Sequence, residues 1–84
     1  MSVVPGFYRH YKGQRYRVLG TARHSETQEP LVVYRALYGE HGLWVRPAAM
    51  FAESVLVDGA RIPRFALEQA DLGLPENPGL LENP

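Results

Sequence analysis

The sequence of 84 residues contains no cysteine, which excludes a disulfide framework and a cysteine-ligated zinc site. No apolar run approaches the ~20 residues that a membrane-spanning helix needs. The first residues, MSVVPGFYRH, lack the basic stretch and the apolar run of ~7–15 residues that make up a signal peptide. These absences predict a soluble, cytoplasmic protein that does not associate with membranes.

Motifs of several enzyme classes are missing as well. There is no GxxxxGK[ST] phosphate loop and no GxGxxG dinucleotide signature. The three histidines, His10, His24 and His41, follow no metal-ligand spacing. No two carboxylates are placed by the predicted strands for acid–base catalysis. We therefore expect no cofactor, no metal and no catalytic residue, and we favour binding over catalysis.

Charged residues are present in ordinary number but are unevenly distributed. Residues 1–65 carry nine basic and five acidic side chains, a net +4, and eight of the nine basic residues are arginine. Residues 66–84 carry four acidic side chains and no basic one, a net −4. Arginine suits forked contacts with carboxylate or phosphate and stacking on rings. The length allows one domain, which we place at 1–72, followed by an acidic, proline- and glycine-punctuated tail at 73–84.

Alternating apolar and polar residues, with many β-branched and aromatic side chains, predict a series of short strands. Gly13 and the pair Asp58-Gly59 supply the residues that tight hairpin turns require. The predicted strands are Phe7–Tyr11, Arg15–His24, Leu31–Tyr38, Leu43–Arg46, Ser54–Val57 and Arg61–Phe65.

Helix is predicted in two short places. Pro47 suits the first position of a helix, so one helical turn is predicted from Pro47 to Glu53, and a second short helix from Phe65 to Leu72. Short strands, tight turns and so little helix indicate an all-β fold. We predict a small SH3-like β-barrel of about five strands. A small OB-like barrel is the competing fold, and it requires a longer helix than Pro47–Glu53.

Four segments together resemble a bacterial family catalogued as domain of unknown function 1653. The resemblance covers about Gly6 to Phe65, and it implies a single small bacterial domain of SH3-like β type. It implies no activity, because none is established for the family. The segments are HYKG at His10–Gly13, VLGTARHSET at Val18–Thr27, VVYRALYG at Val32–Gly39 and LWVRPAAMF at Leu43–Phe51.

A polar and aromatic surface is the candidate ligand site. One part of it lies at the end of the second predicted strand and in the loop that follows, and the other part lies on the central hairpin. Arginine beside tyrosine and tryptophan can hold an anion, stack on a base or grip a peptide. In the alternative interpretation the aromatics are core side chains and the arginines pair with glutamates. The predicted ligand-binding residues are Arg23, His24, Glu26, Thr27, Tyr34, Trp44 and Arg46.

Three functions remain open at this point. The preferred one is a binding module that recognises a peptide, a protein partner or an anionic ligand. The second is nucleic-acid binding by the basic body. The third is a small hydrolase centred on His24, Ser25 and Glu26, which is disfavoured because neighbours on a strand point to opposite faces. The open strand edges of so small a sheet also allow a homodimer.

Overall fold

Seven strands and one helical turn make up the fold in the computed structural model, which describes residues 3–71. The all-β class is confirmed, although the strands are more numerous than predicted. The predicted tail at 73–84 lies outside the described residues. The elements are β1 (Gly6–His10), β2 (Arg15–Arg23), β3 (Pro30–Ala36), β4 (Leu43–Pro47), α1 (Ala48–Phe51), β5 (Ser54–Val57), β6 (Ala60–Pro63) and β7 (Phe65–Ala70).

The strands form two open sheets. The larger has the order β4-β3-β2-β1-β7, and the smaller is the hairpin β5-β6. All described strand pairs are antiparallel. Within residues 3–71, β4 and β7 are the two edges of the larger sheet and do not pair with each other. The described strands therefore do not close into the predicted barrel.

The last strand corrects the sequence prediction, because the segment expected to be a short helix at Phe65–Leu72 forms β7. Residues 66–70, ALEQA, favour helix by intrinsic propensity. Here β7 instead pairs with β1 from Gly6↔Ala70 to His10↔Phe65. Burial of Phe65, which is 7% exposed, ties the start of this strand to the core. Pairing and burial have overridden the local preference, as is common for strands.

The core lies on one face of the large sheet, which we call the inner face. Tyr8, Val18, Val32 and Tyr34 are buried there. The helical turn α1 begins at Ala48, one residue after the predicted start at Pro47, and it adds Phe51, which is 2% exposed. The rings of Phe51 and Phe65 are stacked with centroids 4.1 Å apart. Aromatic side chains therefore dominate the packing beneath α1.

The turn at Asp58-Gly59 agrees with the sequence. Asp58 and Gly59 both have positive φ, 49° and 80°, which is the type I′ geometry that joins two strands without splaying them. The register between β2 and β3 shifts between Val18 and Gly20, as at a β-bulge. Among residues 3–71, no helix has the length and apolarity needed to cross a membrane.

The opposite face of the large sheet, which we call the outer face, carries arginines in register. Arg9 lies opposite Arg15, and Arg17 lies opposite Arg35. Glu68 bridges Arg9 and Arg15, with a carboxylate oxygen 3.1 Å from each Nε. A carboxylate on Asp71 pairs with Arg17, and both side chains are about nine-tenths buried. Acidic residues near the end of the described chain thus compensate much of this charge.

A candidate binding groove

The first group of predicted site residues forms a self-contained turn between β2 and β3. The backbone N–H of His24 donates to the Glu29 carbonyl at 2.8 Å, and that of Gln28 donates to the His24 carbonyl at 2.8 Å. Nδ1 of His24 accepts from the N–H groups of Glu26 and Thr27, at 3.1 and 3.3 Å. These bonds satisfy backbone donors within the loop. The arrangement stabilises the turn.

The same contacts decide what His24 can do chemically. Because Nδ1 accepts hydrogen bonds from two backbone amides, the neutral imidazole carries its proton on Nε2. The nitrogen that holds the turn is therefore not available to activate the Ser25 hydroxyl. Arg23, at the end of β2, is exposed and lies opposite Pro30. Nothing in the described turn assembles a nucleophile, a base and an orienting carboxylate.

The second group of predicted site residues lies about 13 Å farther along β3 than the β2–β3 turn, since Tyr34 is four strand residues beyond Pro30. Tyr34 pairs with Trp44, and Val32 pairs with Arg46, so alternation places Tyr34, Trp44 and Arg46 on the inner face. Tyr16 of β2 and Tyr38, just after β3, complete the set. We call the depression that these five side chains line the aromatic groove: Tyr16, Tyr34, Tyr38, Trp44 and Arg46.

Hydrogen bonds order the polar lining of the aromatic groove. The hydroxyls of Tyr16 and Tyr38 lie 2.7 Å apart and share a hydrogen bond. The Nε of Arg46 donates to the Tyr34 hydroxyl at 3.4 Å. Burial, and then the bond to Tyr38, raise the pKa of Tyr16 from 10.0 to about 12. The phenol of Tyr16 therefore stays neutral over the physiological range and acts as a hydrogen-bonding group.

Arg46 is the cation of the groove. It is half-buried, and its guanidinium lies 5.7 Å from the centre of the Phe65 ring. Within residues 3–71, no carboxylate forms an ion pair with Arg46. By contrast, Arg64 has Glu53 at 3.9 Å. A half-buried cation without a carboxylate attracts an anionic group.

Exposure separates two kinds of aromatic residue here. Tyr34 is 5% exposed and is part of the core, as the alternative interpretation held. Trp44 and Tyr38 are 58% and 46% exposed, so neither is a core side chain. The groove and the neighbouring depression by the β3–β4 turn share Tyr38 and Trp44, and each has a volume of about 210 Å³. The two depressions make a shallow, largely aromatic surface.

Sequence reasoning found part of this groove. Tyr34, Trp44 and Arg46 were predicted and come together, whereas the predicted residues Arg23, His24, Glu26 and Thr27 lie at the other end of β3. Tyr16 was missed. Its pairing opposite Ala36 brings its ring to within 5.4 Å of Tyr34 and 5.6 Å of Tyr38, centroid to centroid, and this register is not visible in the sequence.

Comparison with known proteins agrees with the sequence and the fold. A family model described as Protein of unknown function (DUF1653) matches residues 6–67. The chain belongs to this family. A DUF1653 protein from Bordetella bronchiseptica, known from a crystal structure, is 41% identical, with a TM-score of 0.74 over 82% of this chain and 91% of that chain. No curated protein matches the sequence. The predicted family resemblance is confirmed.

No group of three or more His, Cys, Asp or Glu side chains in the described part of the chain is arranged to hold a metal ion. The groove residues are phenol, indole and guanidinium groups, which are donors to anions and planar groups rather than metal ligands. The groove therefore presents hydrogen-bond donors, one guanidinium and aromatic ring faces.

Proposed function

We propose that this DUF1653 protein is a binding module that recognises an acidic peptide segment of a protein partner in the aromatic groove. A carboxylate of the segment pairs with Arg46, and an apolar or aromatic side chain lies against Trp44 and Tyr38. The observation that carries the proposal is the half-buried guanidinium of Arg46, which has no carboxylate among residues 3–71 and adjoins an exposed indole. Tryptophan and arginine are the residue types that contribute most at protein interfaces.

A peptide is favoured over nucleic acid by the charges of the outer face. Nucleic-acid binding depends on a row of cations that neutralise phosphates. Here Glu68 bridges Arg9 and Arg15, and Asp71 pairs with Arg17. The aromatic groove contains one arginine, Arg46, beside a small aromatic surface. This combination matches one carboxylate and one apolar or aromatic side chain of a peptide.

Likeness to SH3-like modules is part of the same proposal. In that class, an aromatic groove beside a loop holds an extended peptide. The aromatic groove here lies beside the β3–β4 turn, and the adjoining depression is lined by Gly39, Glu40 and Gly42.

The test uses Trp44, the only tryptophan in the sequence, as the reporter. The probe is acetyl-Glu-Val-Tyr-amide, titrated while the indole N–H of Trp44 is followed by NMR. We expect a saturable shift, and a loss of affinity of at least ~10-fold for the glutamine analogue acetyl-Gln-Val-Tyr-amide. The variant Arg46→Gln should weaken binding by a similar factor, because it removes the charge that the carboxylate pairs with.

The matched control is Arg23→Gln, which removes an exposed arginine at the other end of the sheet. It should leave the affinity within ~2-fold. Equal affinity for the glutamate and glutamine probes, or an unchanged affinity in Arg46→Gln, would reject the proposal. Retention of single-stranded DNA that weakens steeply with salt, together with no response to the peptide, would favour nucleic-acid binding instead.

A further inference from the structure

The β4 edge is the most apolar exposed strand of the large sheet. Within residues 3–71, β4 pairs with β3 on one side and with no strand on the other. Three consecutive residues of β4, Leu43, Trp44 and Val45, are 56%, 58% and 60% exposed. An apolar edge of this kind is normally shielded, because its unpaired backbone groups are a template for another strand.

The backbone of β4 fixes which groups face outward. The Ala36 N–H donates to the Gly42 carbonyl at 3.0 Å, so this pair occupies a hydrogen-bonded position of the β3–β4 ladder. Antiparallel pairs alternate between hydrogen-bonded and non-hydrogen-bonded positions. Trp44 and Arg46 therefore direct their backbone groups towards β3, while Leu43 and Val45 direct theirs away from the sheet. Two residues thus offer four backbone hydrogen-bonding groups to an added strand.

The free edge has a defined limit at one end. Pro47 closes β4 and has no N–H to donate. The ladder open to a partner is therefore short, and it is centred on Trp44. A short segment fits it better than a long strand.

We propose that the partner segment binds as a sixth strand of the large sheet, antiparallel to β4. The β4 edge and the aromatic groove then form one peptide site. The inference rests on the proposed function, because it names how the same acidic peptide is held. Side chains opposite Trp44 and Arg46 lie on the inner face, at the groove. Side chains opposite Leu43 and Val45 lie on the outer face beside these two apolar residues.

Charge complementarity selects the sequence of that segment. The inner-face residue of the peptide beside Arg46 is acidic, because this guanidinium has no carboxylate within the described chain. The inner-face residue opposite Trp44 is aromatic or apolar, and the two outer-face residues are β-branched. The geometry predicts the pattern acidic, β-branched, aromatic, β-branched, read from the Arg46 end towards Gly42.

The experiment uses three forms of acetyl-Thr-Glu-Val-Tyr-Val-Thr-amide with the full-length protein. In the first, the backbone is unmodified. In the second, both valines are N-methylated, which removes the two N–H groups that would donate to Leu43 and Val45. In the third, the tyrosine alone is N-methylated, and its N–H points away from β4 in the proposed register. Binding is measured from the Trp44 fluorescence.

We expect N-methylation of the valines to weaken binding at least ~10-fold, and N-methylation of the tyrosine to change it by less than ~2-fold. Equal weakening by the two modifications, or none by either, would overturn strand addition. If the unmodified peptide still binds with the dependence on Arg46 described above, the proposed function survives that outcome. Loss of the Arg46 dependence rejects the proposed function itself, so the two failures are distinguishable.

A second copy of the chain is the competing occupant of the edge. Sedimentation velocity of the protein alone tests it. A monomer over the concentration range of the titration supports a site that is free for peptide. A concentration-dependent dimer that Val45→Lys converts to monomer would show that a second copy covers β4, and it would overturn the inference.

Discussion

The two ends of β3 present residues of similar types in opposite states. At the β2–β3 turn, His24 uses Nδ1 to hold two amides of its own loop. At the other end, Trp44 is more than half exposed, and Arg46 has no carboxylate within the described residues. The first group stabilises its own turn, whereas the second includes an exposed indole and a cation that we propose to bind an acidic peptide. The two groups cannot be told apart by residue type, but their hydrogen-bond partners distinguish them.

The comparison also explains which residues of the site were predictable. Trp44 and Arg46 stand two positions apart on one strand, so alternation puts them on one face whatever the rest of the fold does. Arg23 ends β2 beside the β2–β3 turn, whereas Trp44 lies near the β3–β4 turn, so two successive antiparallel hairpins place them at opposite ends of β3. The prediction grouped these residues by type and did not use the order of the strands.

The elements of the fold also separate into those that local sequence predicts and those that depend on long-range pairing. The hairpin turn at Asp58-Gly59 and the helical turn after Pro47 depend on local conformational preferences, and both were predicted. Strand β7 depends on pairing with β1 and on burial of Phe65, and its sequence favours helix. Within residues 3–71, β7 forms one edge of the large sheet and β4 forms the other.

The largest expected effect tests the packing under the groove. Phe51→Ala should lower the free energy of unfolding by about 3–5 kcal/mol, because Phe51 is 2% exposed and stacks on Phe65. Its neighbour Met50 is 47% exposed, so Met50→Ala should cost no more than about 0.5 kcal/mol. Urea unfolding followed by circular dichroism measures both. Similar losses in the two variants would contradict the described core.

A second pair of variants contrasts the buried ion pair of the outer face with its more exposed ones. Asp71→Asn leaves the buried Arg17 guanidinium without its carboxylate, and it should cost about 3 kcal/mol in the same assay. Glu68→Gln is the control, since Glu68 pairs with arginines that are about half exposed, and it should cost less than about 1 kcal/mol. If Asp71→Asn is as mild as the control, the outer face is not held by this ion pair.

At the β2–β3 turn, we predict a change in stability without a change in peptide binding. His24→Ala removes the acceptor of two backbone N–H groups and should cost about 1 kcal/mol. His24→Asn should recover most of the loss, because an asparagine oxygen accepts the same kind of bond in a turn. Peptide affinity should stay within ~2-fold in both variants. A large loss of affinity in a folded His24→Ala protein would move the binding site to the turn.

The smallest expected effect is a pH dependence from the groove. The pKa of Tyr16 is about 12 in the folded protein against 10.0 for the unperturbed group, mainly because burial disfavours the phenolate. Between these values the unfolded chain has lost a proton that the folded protein keeps, so the free energy of unfolding falls as pH rises. Tyr16→Phe should flatten that fall.

Burial also raises the pKa of Tyr8, which contributes a background common to the parent protein and Tyr16→Phe. Urea midpoints at pH 8 and at several values above 10 make the comparison. An unchanged slope in Tyr16→Phe would contradict the burial of the Tyr16 hydroxyl in the groove.

The most direct test is a map of backbone and indole NMR shifts along the whole chain as acetyl-Glu-Val-Tyr-amide is added. The account predicts that the largest changes lie between Tyr34 and Arg46 and at the Trp44 indole, and that Arg23 to Glu29 do not respond. Changes concentrated at Arg23 to Glu29, with a silent Trp44, would contradict it.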